Sequence, residues 1–372
     1  MLFKLPFYNQ KIKIGDLPNC LFVGWAKEKL LKFLQNYFGN ENILILKSGR
    51  QGVKVILESL DLKKGDEVII PSFICPVLID AIQRAGGKPI FSEIEKQGFN
   101  LEIEAAKKLI SPRTRAIILP HLFGIPAKLD EFVKLAKESN LILIEDCAHA
   151  LGAKYRGRLV GTFADFAIFT FGFSKNVGGL GGGFILLKNR PDMEKIKKNI
   201  SQNRKRSFPL KQYLELFLAP LVFNKYLYFL FANLVERYGK LRQRRESEWE
   251  FSDSLSSLEV KVALQKIRRY EKDKEKRNKA AIIYQRELKE TFRFPEIIPN
   301  TQPAYLFFPV FAQNDVFETL KKNNLPVQRV EFGKPGERLP DNYFLLPLDY
   351  SARDIERICR LIKKELSKKE KV

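Results

Sequence analysis

Lys175 and Asp146 are the residues in this sequence best suited to covalent chemistry. Lys175 follows the run Phe169, Thr170, Phe171, Gly172, Phe173, Ser174 and precedes a glycine-rich loop over 178–183. Asp146 closes an apolar run, Leu141, Ile142, Leu143, Ile144, that continues into Glu145. An amine after one strand and a carboxylate at the mouth of the strand before it form the pair needed to hold an aromatic aldehyde. The amine condenses with the carbonyl, and the acid keeps a ring nitrogen protonated. Pyridoxal phosphate meets that description. A lone lysine beside glycines is more often a solvated loop residue, so the pair takes its weight from the segments around it.

Those segments come in a distinctive order. Ser48, Gly49, Arg50 and Gln51 lead a helix-length stretch over 53–60, and Gly65, Asp66, Glu67 and Val68 open a strand that ends at Pro71, Ser72 and Phe73. Gly86 to Phe91, Thr114 to Ile118, and His121, Leu122, Phe123, Gly124, Ile125, Pro126 follow. Then come Glu145, Asp146, Cys147, Ala148, His149, Ala150, Leu151, Gly152, Ala153, next Gly161 and Asp165, and finally Thr170 and Phe171 ahead of Lys175. A weaker echo covers 256–264 and 268–277. In this order the chain resembles, over most of its length, the DegT/DnrJ/StrS family of pyridoxal-phosphate sugar aminotransferases.

The resemblance implies a set of roles. Lys175 corresponds to the family's Schiff-base lysine and Asp146 to the partner of the pyridinium nitrogen; once displaced by substrate, Lys175 is also the natural base. His149 stands where members contact the cofactor ring or its phenolic oxygen. Ser48, Gly49, Arg50 and Gln51 sit at the helix start expected to bind phosphate through its orphan amides and positive dipole end. Arg50 replaces the usual threonine and is read as added positive charge; Thr170 replaces a serine and keeps the hydroxyl. Cys75 occupies the position of an aromatic that stacks on the cofactor, so either Phe73 supplies that face from another angle or the ring packs on something smaller. Ser252 aligns with an asparagine that reaches the neighbouring protomer's phosphate. His121 matches a position that is often histidine and is read as structural or supporting. Because Lys175 is present, the chain does not match the dehydrating branch, which carries histidine there. The activity implied is amino transfer from glutamate to a keto-sugar nucleotide in cell-surface glycan or related sugar biosynthesis, by a homodimer. The rivals are a lyase or dehydratase on the same fold and cofactor, and a non-catalytic, membrane-associated regulator or scaffold.

The elements expected to position these residues are strand-like runs at 43–46, 68–70, 116–119, 141–144, 166–169 and 184–187, alternating with helix-length segments. Such runs are apolar on both faces, as a covered parallel sheet requires. The fold class expected is α/β: a three-layer αβα sandwich with a mostly parallel sheet, plus a smaller α+β C-terminal domain. The 372 residues, 45% of them apolar, suffice for about two domains. The large domain is assigned to 1–199, a basic and apolar helical insert to 200–247, and the small domain to 248–372. In the latter a charged helix is expected over 248–276, a strand at 305–310, and a stretch over 342–348 that leads into a last helix at 352–366.

The net charge of +22 is uneven, with basic residues gathered on both sides of the apolar 208–235 core of the insert. Three readings of its 208–235 core stay open: a hairpin packed on its own domain or a partner, an interfacial segment whose flanking Lys and Arg meet anionic lipid, and a spanning helix. Lys225 and Pro220 argue against spanning. No zinc finger, RNP motif or helix-turn-helix supports nucleic-acid binding. The four cysteines, Cys20, Cys75, Cys147 and Cys359, have neither disulfide nor metal-ligand spacing, so no metal is expected. The start, Met1-Leu2-Phe3-Lys4-Leu5-Pro6, lacks a signal-peptide core, and a cytoplasmic location is expected, peripheral at the membrane if the insert is interfacial.

Overall fold

The apolar runs become strands because both of their faces find cover. The computed structural model of the protein describes residues 26–201, 255–330 and 342–369. A seven-stranded sheet forms from β1 (Ile43–Leu46), β2 (Glu67–Pro71), β3 (Lys88–Ser92), β4 (Thr114–Pro120), β5 (Ile142–Asp146), β8 (Phe166–Thr170) and β9 (Gly183–Leu187), in the order β1-β9-β8-β5-β4-β2-β3. Only β9 runs against the others. Side chains alternate across each strand. In β4, Ile117 and Leu119 therefore join one buried cluster while Ala116 and Ile118 join the other.

Two helical layers close the sandwich. The first face is covered by α1 (Ala26–Phe38), α4 (Ile103–Lys108) and α5 (Leu129–Glu138), the second by α2 (Gly49–Ser59), α3 (Pro76–Arg84) and α6 (Arg190–Ser201). Each fully buried Leu, Ile or Phe contributes about 1.5–3 kcal/mol, so the sandwich is held chiefly by these two clusters. The strand β3 has no counterpart among the runs read from sequence. It lies at the sheet edge, is mostly half-buried, and carries Pro89, a residue tolerated at an edge because one side needs no ladder donor.

The C-terminal part is α+β, as expected. It contains α7 (Ser257–Leu288), β11 (Phe308–Phe311) paired antiparallel with β12 (Tyr343–Leu346), α8 (Asn314–Lys322) and α9 (Ala352–Lys369). The charged helix expected over 248–276 instead begins at Ser257, fixed by a reciprocal capping box between Ser256 and Glu259, and runs on to Leu288. Its first half packs into the sandwich through Val260, Ala263, Leu264, Ile267 and Tyr270. Its second half supplies Ala280, Ala281, Tyr284 and Leu288 to the C-terminal cluster. A further seam is a small sheet in which β10 (Thr301–Gln302) pairs with β6 (Lys154–Tyr155), itself the partner of β7 (Arg158–Leu159).

Residues 200 and 201 end α6; the rest of the expected insert, its 208–235 core and Ser252 lie outside the described residues. Among the described residues no helix is long and apolar enough to cross a membrane.

Candidate active site

The parallel strands deliver their carboxyl ends to one rim, where an α/β sheet places its ligands. Glu145 and Asp146 end β5 and point to opposite sides. Glu145 is fully buried and turns inward, accepting hydrogen bonds from the N–H groups of Gly161 at 2.6 Å, Phe163 at 2.9 Å and Ala164 at 2.9 Å. It also accepts from His121 Nε2 at 3.0 Å, because Ala127 N–H donates to Nδ1 and leaves the ring hydrogen on Nε2. His121 thus has the structural place read for it. His121, Glu145 and Cys147 gather their donor atoms within 4.8 Å, yet the imidazole and the carboxylate are already committed to protein partners.

Asp146 faces the rim. It accepts one hydrogen bond, from Ala148 N–H at 3.0 Å, and forms no ion pair among the described residues. Burial pushes its carboxyl above the usual range, against the pull of the Ala148 N–H and the charges of Lys175 and His121. Such an acid is best matched by a group that shares its proton.

Lys175 leaves the end of β8 through a turn closed by its own N–H, which donates to Gly172 O at 3.0 Å. Its Nζ lies 2.7 Å from His149 Nε2. The Phe123 N–H donates to His149 Nδ1 at 3.3 Å, and the Phe123 ring lies nearly parallel to the imidazole at 6.1 Å. Phe123 holds this pose with a left-handed φ of 56°, a rare conformation for an aromatic residue, imposed where the chain turns between β4 and Gly124.

The helix start of α2 is built as the sequence suggests. Ser48 is extended and its hydroxyl accepts from Gln51 N–H at 3.1 Å, which leaves Gly49 and Arg50 in the first turn, where intrahelical acceptors run out. Gln51 turns back, its Oε1 accepting from Lys47 N–H at 2.8 Å. Thr170 closes the cradle: its hydroxyl donates to Gly182 O at 3.1 Å and accepts from Gly172 N–H at 3.3 Å. A Cβ on Gly49 would lie 3.0 Å from Thr170 Cβ, and one on Gly183 would lie 2.8 Å from Gly49 N, so glycine is what lets these segments meet.

Cys75 occupies the N-cap of α3, ahead of Pro76, without a capping bond. Burial pushes its thiol up, against the pull of the Lys175 and Arg50 charges and with Asp146 adding to the rise. Phe73 does not take over the stacking face. It is fully buried among Phe99, Phe123 and Tyr343, which leaves the smaller wall at Cys75.

The sequence reading missed the layer beneath Lys175. Asn176, Tyr270 and Arg277 are 4%, 2% and 3% exposed and interlock there. Tyr270 and Arg277 are two helical turns apart on one face of α7, a spacing visible in the sequence but without a partner to aim at.

The comparisons with known proteins bear on the whole arrangement. The profile of the DegT/DnrJ/EryC1/StrS aminotransferase family matches residues 19–340. The chain belongs to that family. It is a pyridoxal-phosphate-dependent aminotransferase of fold type I. It is 32% identical over 177 residues to the GDP-perosamine synthase of Escherichia coli O157:H7, covering 46% of this chain and 49% of that one. It is 36% identical over 148 residues to the UDP-N-acetyl-3-dehydro-alpha-D-glucosamine 3-aminotransferase of Acidithiobacillus ferrooxidans, covering 40% of each. The alignments thus span half or less of these two relatives. The crystal structure of NtdA from Bacillus subtilis with bound cofactor PMP superposes with a TM-score of 0.78 at 18% identity, over 99% of this chain and 86% of that one. The residues at the strand ends of this family member suit its cofactor: an amine, an acid with no ion pair among the described residues, two hydroxyls and a helix N-terminus.

Proposed function

We propose that this aminotransferase moves an amino group from glutamate to the keto group of a nucleotide-linked sugar, in a route that supplies amino sugars to glycan assembly. The observation that carries the reading is the 2.7 Å contact between Lys175 Nζ and His149 Nε2 at the strand ends where Asp146 also opens. Support for the acceptor class comes from the two relatives, whose names carry a GDP- and a UDP-linked sugar.

Pyridoxal phosphate supplies an aldehyde that condenses with amines and a ring that takes up the electron pair left when a proton leaves carbon. Ser48, Gly49, Arg50, Gln51 and Thr170 would hold its phosphate by a helix N-terminus, two hydroxyls and a guanidinium. Asp146 would hold a proton at the ring nitrogen, a role that suits an acid whose burial makes an unshared charge costly. Lys175 Nζ takes a proton from the substrate carbon and returns it elsewhere, and His149, pinned by Phe123 N–H, fixes the direction in which Nζ points. Cys75 presents a small wall at the position where an aromatic face is usual. A cytoplasmic homodimer completes the proposal.

The test is the absorption spectrum of the purified protein with pyridoxal phosphate, beside Lys175→Ala, before and after glutamate is added. A visible band that requires Lys175 and fades with glutamate is the expected result. A band indifferent to amino donors would point to a lyase, and a folded protein with no band would leave the scaffold reading.

A further inference from the structure

Lys175 depends on its neighbour for the position of its backbone. Asn176 Nδ2 donates to Ala304 O at 2.7 Å and to the Tyr270 hydroxyl at 3.3 Å, and the Tyr270 hydroxyl donates in turn to Leu151 O. The Asn176 carbonyl accepts from Arg277 Nη1 at 3.3 Å. The Arg277 guanidinium lies over the Tyr270 ring, 5.3 Å from its centroid, and reaches Asp349 Oδ1 at 3.7 Å. The residue that follows Lys175 is thereby tied to α7, to the chain before β11 and, through Tyr270, to the turn after Asp146.

The arrangement is expensive if stability is its only purpose. Arg277 Nε and Nη2 and Asn176 Oδ1 are buried and find no hydrogen-bond partner among the described residues. Unmatched buried polar atoms cost free energy, and a buried ion pair is often no better for stability than apolar side chains of the same volume. What the guanidinium supplies that an apolar residue cannot is a directed hydrogen bond to one carbonyl, the one immediately after Lys175.

We propose that Arg277 is a positioning residue of the amino-transfer reaction, fixing through the Asn176 carbonyl the backbone from which Lys175 reaches the cofactor. The inference rests on Lys175 being the cofactor-binding amine. Arg277 acts through the Asn176 carbonyl and so sets where the lysine nitrogen can go. Since α7 spans the sandwich and the C-terminal cluster, the second half of the chain fixes a geometry that the first half alone would leave loose.

The experiment uses the full-length protein loaded with pyridoxal phosphate, with Arg277→Leu, Arg277→Lys and Asn176→Ala beside the parent and Lys175→Ala. Three quantities are read: the thermal midpoint, the pH titration of the visible band, and kcat and KM for glutamate. Borohydride reduction followed by peptide mass measurement reports the attachment at Lys175 independently of turnover. For Arg277→Leu we expect a thermal midpoint at or near that of the parent, a titration midpoint moved by about half a pH unit or more, and kcat lowered about tenfold with KM little changed. Arg277→Lys, which keeps a donor, should recover part of the loss, and Asn176→Ala, which keeps the carbonyl that Arg277 meets and loses only the side-chain bonds, should stay closer to the parent in titration and kcat than Arg277→Leu does. An unchanged titration and kcat in Arg277→Leu, with or without a lower thermal midpoint, would overturn the positioning role. Should Arg277→Leu not fold, Arg277→Lys decides on the same readouts, and collapse of both Arg277 variants would reduce the cluster to a structural one. A parent band that survives in Lys175→Ala would instead sink the lysine assignment, and this inference with it, before any Arg277 variant is considered.

Discussion

Glu145 and Asp146 are adjacent acids with opposite tasks, separated only by the alternation of a strand. Glu145 accepts from three backbone N–H groups and His121, so its charge is spent inside the fold. Glu145→Gln should destabilise the protein by about 2–4 kcal/mol, since an amide cannot accept at all those positions and leaves buried donors unmatched; chemical denaturation measures it. Asp146→Asn should fold with almost parental stability, because only the Ala148 N–H is at stake, yet lose at least about a hundredfold in kcat with the ring proton no longer held. Equal loss of stability in both variants would contradict the division of labour. At this scale Lys175 and Asp146 stood out by residue type and by their places at strand ends, while His149, Thr170 and the 48–51 turn were singled out through the family resemblance. Asn176 and Arg277 were not, because the bond between them joins positions 101 residues apart and has no period to betray it. Cys75 was legible as a departure, but the burial of Phe73 required the aromatic cluster around it to be seen.

Among the elements, the return of the chain through β9 shapes the proposed phosphate cradle. Gly183 begins β9 opposite Thr170 and beside the start of α2. A Cβ there would lie 2.5 Å from Phe169 O and 2.8 Å from Gly49 N, both backbone atoms, so neither can swing aside as a side chain would. Gly183→Ala should cost about 1–3 kcal/mol and weaken cofactor capture, which equilibrium dialysis with pyridoxal phosphate measures; unaltered capture would show that the α2 start tolerates displacement. The central strands could be read from sequence because burial on both faces makes them continuous apolar runs. The edge strand β3 escaped because half-exposure and Pro89 disguise it, and the two-residue β6, β7 and β10 are too short to carry any pattern. The start of α7 was misplaced because charged residues before Ser256 mimic a helix surface, whereas the capping box sets the boundary.

For the molecule as a whole, the fold class was legible because α/β alternation is a global pattern; the stitching between its parts was not, because it consists of single contacts. One such seam carries a pH dependence. Glu95, Glu296 and Asn100 line a cavity of about 10 Å³ between the loop after β3 and the chain after α7. Burial pushes the Glu95 carboxyl up to about 7, with Lys128 and the Asn100 N–H pulling down and Glu102 and Glu296 pushing up. A raised acid adds stability that is complete below its unfolded value and is lost as pH climbs through about 7. Glu95→Gln should therefore raise stability at pH 8 by about 1–2 kcal/mol, discounted for partial exposure, and by less at pH 5. Urea midpoints at the two pH values give the answer, and an equal effect at both would remove Glu95 as the source. The pairing of β1 with β9 has a consequence for synthesis. The ribosome releases β1 early, but its partner follows about 140 residues later, with Leu46 opposite Gly183. A nascent chain that stops short of β9 leaves the apolar edge of β8 open, an invitation to aggregate, and lacks the approach of Gly183 to Gly49. Only a chain elongated past Gly183 can bring β9 between β1 and β8 and complete the sheet.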